Sequence, residues 1–282
     1  MSIFKRILLL LLLNLNAGCT HLLYHPSQYL YWDPKILGIT YRAVEFPSLD
    51  DVKLQGWYFP ARGTTPHRGT VVQFHGNAEN MTAHFSSLYW VIDHGYDFFT
   101  FDYRGYGASD GTPSPRGMHE DAVAAIHWVE KNAKRPAAEK KDLIFYGQSL
   151  GGAVLTRALE DISERSRIKA VVIESSFDDY HRISCDVLSR FWLTWPFQWL
   201  GNILVADALS PEASFAKISP IPLLVIHGDR DRVVPARFGE SIYSRALAPK
   251  TIWRIRGGVH IGAMNEPSHF YREALINYLG SL

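Results

Sequence analysis

Leu143-Ile144-Phe145-Tyr146-Gly147-Gln148-Ser149-Leu150-Gly151-Gly152-Ala153-Val154 decides how this chain folds. The first four residues are a short apolar run of strand type. Val154, Ala158 and Ile162 then recur at four-residue spacing, with Leu155 and Leu159 beside them, which is a helical pattern. Between strand and helix stands Gly147-Gln148-Ser149-Leu150-Gly151. A strand that turns straight into a helix through Gly-x-Ser-x-Gly pushes the serine hydroxyl out beyond the sheet, and the two glycines omit side chains that would collide across the turn. The five-residue pattern is common by itself; its strand–turn–helix setting makes it specific.

The rest of the chain repeats that rhythm. Short runs rich in Val, Ile, Phe or Tyr lie at 70–74, 98–102, 170–173, 223–226 and 251–255. Phe270, Ala274 and Tyr278 mark a helix at the end of the chain, with Tyr271, Leu275 and Leu279 as neighbours. Near-continuous apolar strands alternating with helices predict an α/β fold, a mostly parallel sheet covered on both faces. Two earlier runs, 41–46 and 55–59, alternate more and precede any helix, which predicts an antiparallel hairpin at the sheet edge. The length of 282 residues is compatible with one such domain. A 47% hydrophobic share supplies its core and argues against disorder, while 29 Lys+Arg against 28 Asp+Glu argues against a nucleic-acid partner. Two cysteines are too few for a disulfide framework.

A serine hydroxyl needs a base, and the base needs a carboxylate to orient it. Gly257-Gly258-Val259-His260 follows the last strand and makes His260 the candidate base among twelve His. His227 stands at a strand end inside a glycine turn, and His269 is expected within the final helix. His227-Gly228-Asp229-Arg230-Asp231 follows the 223–226 strand. Asp231, on the loop past the turn, is the candidate acid; Asp229 reads as a turn residue and Asp178 as a weaker alternative. The order Ser149, Asp231, His260 matches the strand–turn–helix serine motif. An oxyanion would be met by backbone N–H groups. Leu150 supplies one, and His75-Gly76-Asn77-Ala78 after the 70–74 strand supplies the other, assigned to Asn77 with Ala78 as the near alternative. His75 reads as a residue that braces this loop.

Asp102-Tyr103-Arg104-Gly105-Tyr106-Gly107-Ala108-Ser109-Asp110-Gly111 is glycine-rich, but its spacing departs from the dinucleotide fingerprint and it does not open the chain's first βαβ unit. No cofactor is expected, and no metal, since no Cys/His ligand set occurs. The stretch 180–207 breaks the rhythm with Phe191, Trp192, Trp195, Phe197 and Trp199. It reads either as a lid over a pocket or as ordinary helix packing. Cys185 within it reads as a small core residue.

From about Tyr41 to the end, the chain resembles the α/β-hydrolase superfamily. Phe74-His75-Gly76-Asn77-Ala78, Asp102-Tyr103-Arg104-Gly105-Tyr106-Gly107, the Ser149 turn and Glu174-Ser175-Ser176-Phe177 together make it similar to small abhydrolase-domain serine hydrolases, a group related to prolyl oligopeptidase-like enzymes and depalmitoylases. Ile261-Gly262 stands where that group often has a polar residue after its histidine. Relatives of this kind act on esters, thioesters and peptides; the leading expectation is a serine hydrolase of carboxylic esters, including acyl or lipid esters, through Ser149, His260 and Asp231. A thioesterase or a serine peptidase would use the same residues, and a non-catalytic envelope binding module is the alternative of another class.

The N-terminus carries an address. Lys5 and Arg6 precede an apolar run at 7–13, and Ala17-Gly18-Cys19 follows. The run is too short to span a bilayer comfortably. Residues 1–18 read as a signal peptide, and Ala17-Gly18-Cys19 resembles the lipobox of bacterial lipoproteins, with Asn16 where an aliphatic residue is usual. Cys19 is then a candidate lipidation site, residues 19–40 an extended tether and 41–282 the hydrolase domain. Thr20 resembles the sorting residue of lipoproteins sent to the outer membrane. The expected location is the bacterial cell envelope facing the periplasm, with the membrane held through the N-terminus; a secreted or signal-anchored protein is the alternative. Cleavage before Cys19 would remove Lys5 and Arg6 and no acid, turning the net charge from +1 to −1.

Overall fold

Eight strands form one sheet: β1 (Arg42–Pro47), β2 (Lys53–Phe59), β3 (Gly69–Phe74), β4 (Tyr96–Phe101), β5 (Leu143–Gln148), β6 (Ile168–Glu174), β7 (Leu223–Gly228) and β8 (Lys250–Ile255). The computed structural model describes residues 24–134, 141–265 and 269–282; the leader 1–18 and Cys19 lie outside them. The spatial order is β8-β7-β6-β5-β3-β4-β2-β1. The expected hairpin is present: β1 pairs antiparallel with β2 and β2 antiparallel with β4, and every other pairing is parallel.

The longer helices are α1 (Pro115–Asn132), α2 (Leu150–Ala158), α3 (Tyr180–Ser189), α4 (Ala236–Arg245) and α5 (Phe270–Gly280). Alternation along the strands divides the core in two. Val72, Phe99, Phe101, Phe145, Val171 and Ile173 face one side, where residues of α1, α2 and α4 cover them. Val71, Phe98, Ile144, Tyr146, Val172 and Leu224 face the other, in one cluster with Phe85, Trp90, Val91 and Ile92 ahead of β4 and with Leu275 and Leu279 of α5. Leu143, Ile144, Phe145 and Tyr146 are wholly buried. At roughly 1.5–3 kcal/mol per buried large side chain, this strand holds a central position without needing an amphipathic pattern. His269 precedes α5 in a left-handed conformation rather than lying within the helix.

Residues 24–40 of the expected extended tether are held against the domain. His25–Pro26 pairs with Ala78–Glu79, Asn80 Nδ2–H donates to the Ser27 and Tyr29 carbonyls (2.8 Å each), and Tyr24 and Ile39 are buried. The cause is Asn80: its amide satisfies two carbonyls that an extended strand leaves open. Cys185 is not a core residue. It is half-buried on α3, and its thiol donates to Asn202 Oδ1 (3.3 Å).

Candidate active site

The parallel strands end in register, so their following loops collect at one edge of the sheet, where open α/β sheets bind ligands. Phe74 of β3 stands opposite Gly147 of β5, and Gln148 opposite Glu174 of β6. Ser149 comes next and adopts φ 52°, ψ −121°. That conformation costs a non-glycine residue on the order of 1–3 kcal/mol and persists only where neighbours over-determine it. Here they do: the Ser149 N–H donates to the Glu174 carbonyl (2.9 Å), while the Ser149 carbonyl accepts from the Gly152 N–H (3.0 Å) and from Ser176 Oγ (2.7 Å).

The two glycines of the turn have different neighbours. A methyl on Gly147 would stand 2.6 Å from Gly152 Cα, which is the collision across the turn expected from sequence. A methyl on Gly151 would stand 2.1 Å from the Phe74 carbonyl oxygen and 2.4 Å from that of His75. Gly151 therefore lets α2 press against the loop that holds Asn77. At Gly76 on that loop, an added methyl would contact Ser149 Cβ (3.6 Å) and Ile261 Cδ1 (3.5 Å). The serine turn and the histidine loop thus meet over one small residue.

His260 Nδ1–H donates to Asp231 Oδ2 at 2.8 Å. The other oxygen, Asp231 Oδ1, accepts from the Val233 and Val234 N–H groups (2.8 Å each). Burial pushes the Asp231 carboxyl up, but the His260 hydrogen bond and charge and the two backbone donors outweigh it and hold it below its usual range. Asp229 Oδ1 accepts from the Gly257 N–H (2.7 Å), and the Gly258 carbonyl accepts from the Arg230 N–H (3.0 Å). These bonds lace the acid loop to the histidine loop. Asp178 is elsewhere: its Oδ2 accepts from Arg182 (2.7 Å), Ser241 (2.6 Å) and Arg245 (2.8 Å). His227, wholly inside β7, donates through Nε2 to the Val234 carbonyl (2.8 Å).

Asn77 and Leu150 line one cavity of about 500 Å³. Tyr106 OH donates to the Asn77 carbonyl (2.7 Å), so the glycine-rich turn after β4 holds the Asn77 loop in place. His75 is buried and braces the same loop through Nδ1–H to the Gly76 carbonyl (2.8 Å), with its ring against Tyr103 and Tyr106. His84 stacks on His75. Burial, with repulsion from His75 and His260, pushes it down to about 3, so its ring is neutral and Nε2–H donates to the Ala78 carbonyl (3.0 Å).

Sequence reasoning assigned no role to Glu174, Ser175 and Ser176, which join the two halves of the site. Buried Glu174 accepts from the Ala263 N–H (3.1 Å) on the histidine side and from Gln148 Nε2–H (2.9 Å) and Tyr146 OH (3.0 Å) on the serine side. Ser175 Oγ accepts from the Ile261 N–H (3.1 Å), and Ser176 Oγ holds the Ser149 carbonyl. Ser175 and Ile261 both sit at positive φ, like Ser149. Their signals in the sequence were a run of polar residues closing an apolar strand and their place in the motif Glu174-Ser175-Ser176-Phe177 that carries the resemblance.

Part of the stretch 180–207 borders the cavity. Tyr180, Ile183, Val187, Leu188, Leu204 and Val205 contribute to its wall. The five clustered aromatics neither line the cavity nor pack in the core; each is more than half exposed.

A sheet of this order with such a serine turn defines an α/β-hydrolase. A family profile described as serine aminopeptidase, S33 (Hydrolase_4), matches residues 65–219, and the chain belongs to this hydrolase family. It is 34% identical to the uncharacterized protein YfhR of Escherichia coli, over 96% of this chain and 93% of that one. It is 31% identical to the lysophosphatidylserine lipase ABHD12 of Macaca fascicularis, over 71% of this chain and 50% of the lipase. Among solved structures, an esterase of Pyrococcus furiosus superposes with a TM-score of 0.69 at 22% identity, covering 92% of this chain and 97% of the esterase.

Proposed function

We propose that the protein is a serine esterase acting on acyl or lipid esters, with Ser149 as nucleophile, His260 as base and Asp231 as its orienting acid. The observation that carries this reading is the 2.8 Å His260–Asp231 hydrogen bond on loops beside the strained Ser149 turn. Asp231 presents a carboxylate to Nδ1–H, which leaves Nε2 unprotonated and able to take the serine proton. Ser149 Oγ bonds to the ester carbonyl carbon as its proton passes to His260. The tetrahedral oxyanion is met by the Asn77 and Leu150 N–H groups. It collapses to an acyl-serine, and the alkoxide leaves with the proton from His260. Water, deprotonated by His260, then releases the acid and restores Ser149.

The cavity supports an acyl substrate. Its volume falls in the usual small-molecule range, its wall is mostly aliphatic and aromatic, and no acid lines it among the described residues. An aminopeptidase would want a carboxylate there for the substrate ammonium. The lipid substrate named for the ABHD12 relative points the same way. In this reading the insertion 180–207 acts as a lid, and the N-terminus tethers the enzyme in the cell envelope through Cys19.

A fluorophosphonate probe tests the nucleophile: the wild type labels and Ser149→Ala does not. A folded but unlabelled wild type would overturn the assignment. A panel of acyl esters of increasing length beside aminoacyl amides tests the substrate class, and faster turnover of the amides would turn the reading to a peptidase.

A further inference from the structure

We propose that the outer face of the 180–207 insertion is a docking surface for a lipid bilayer. Its centre is Phe191, Trp192, Trp195, Phe197 and Trp199, with relative exposures of 53, 77, 60, 53 and 53%. Leu193 beside them is also exposed. At roughly 150–250 Å² per ring, five rings so exposed present on the order of 500 Å², toward the top of the range for apolar patches on a monomer. The patch does no work inside the molecule: none of the five lines the cavity or belongs to either core.

Three observations commit the patch to a bilayer. Residues 191–205 contain no ionisable side chain, while three of them are Trp; Trp concentrates at the membrane–water boundary, where its ring is apolar and its N–H stays wet. The helical pieces here have ten, six and four residues, too short to cross a bilayer but suited to lying in its interface. The N-terminal segment is also on this side: Tyr24 and His25 line the same cavity as the inner face of the insertion. The apolar run 7–13 lies only eleven residues upstream of Tyr24. A bilayer that received that run would be within a short chain length of Tyr24, and so of the insertion whose residues share a cavity with it.

The test uses the full chain in phosphatidylcholine vesicles with and without brominated acyl chains, which quench indoles at bilayer depth. The three Trp of the patch are three of eight in the chain, so bromination should remove up to roughly a third of the emission. Trp192→Ser/Trp195→Ser/Trp199→Ser should abolish that quenching while turnover of a soluble short-chain ester stays within about twofold, these residues lying outside the cavity wall. Phe191→Ser/Phe197→Ser retains every Trp and should also reduce quenching, which keeps the test decisive if the triple variant fails to fold. Unquenched wild type, or quenching that survives both sets of substitutions, overturns the proposal. So does vesicle-free, concentration-dependent shielding of the indoles, which would make a second copy of this chain the occupant. Quenching requires no turnover, so this result is separable from the fate of the esterase reading.

Discussion

Replacing Asp231 by Asn exchanges one carboxylate oxygen for an NH₂ group, and the surrounding bonds dictate which one. Oδ1 accepts two backbone N–H groups, from Val233 and Val234, at 2.8 Å. An amide nitrogen there would face two donors, so the Asn oxygen must take that place and the NH₂ must face His260 Nδ1. The imidazole can then only accept at Nδ1, which puts its proton on Nε2, toward the serine. A base that already carries the proton cannot take another from Ser149. The same tautomer error in a comparable triad lowers kcat by about 10⁴, or ~5.5 kcal/mol of barrier. Because the two backbone bonds survive, denaturant unfolding should show a loss below ~1 kcal/mol. Asp231→Ala instead orphans both N–H groups and should cost roughly 1–3 kcal/mol for the buried Val234 donor, and less for that of exposed Val233, which water can reach. Asp178→Asn should weaken the bonds to Arg182, Ser241 and Arg245 with much less effect on kcat. The measurements are ester turnover near neutral pH and unfolding in denaturant. An Asn variant within about tenfold of wild-type kcat, against the ~10⁴ expected, refutes the reasoning; so does loss of turnover in Asp178→Asn alone.

Other outcomes follow from the bonds around the site. Tyr106→Phe frees the Asn77 carbonyl from its 2.7 Å partner; kcat should fall about tenfold with KM nearly unchanged, at a stability cost of ~1 kcal/mol. A proportional rise in KM with unchanged kcat would show that Asn77 serves ground-state binding instead. Gly151→Ala puts a methyl 2.1 Å from the Phe74 carbonyl oxygen and should cost about 3 kcal/mol, the upper part of the overpacking range, read as a lowered Tm; an unchanged Tm would mean that α2 shifts freely. Burial raises the Glu174 carboxyl above its usual range, against opposing hydrogen bonds from Gln148 and Tyr146. A raised folded value gives stability that is full below about pH 4.3, the ordinary value, and is lost as pH rises through the folded value. Glu174→Gln should remove that decline, so the variant's unfolding free energy should stay flatter than wild type from about pH 4.3 upward; parallel curves would refute it.

The resemblance carried by four short motifs led to the family in which the comparisons place the chain, and the strand runs and edge hairpin seen in the sequence are those of the sheet. Local chemistry explains this legibility. A strand buried on both faces must be apolar throughout, and a turn between strand and helix must shed side chains at fixed positions, so both leave marks within a dozen residues. That Asp231 and His260 stand on loops past strand ends was legible by the same route; that their side chains meet is shown by the fold.

What the sequence alone determined, then, is the alternation of elements, the serine turn and which residues stand at the strand ends. Tertiary structure decided how those ends are joined. Glu174, Ser175 and Ser176 tie the serine turn to residues 261–263, contacts nearly ninety positions apart that no local pattern encodes. Asn80 binds residues 27 and 29 to the domain in the same way. The aromatic cluster shows the remaining difference. Its composition is visible in one dimension, but whether five rings face a core, a cavity or the outside depends on what packs against them, and only the folded chain presents them outward.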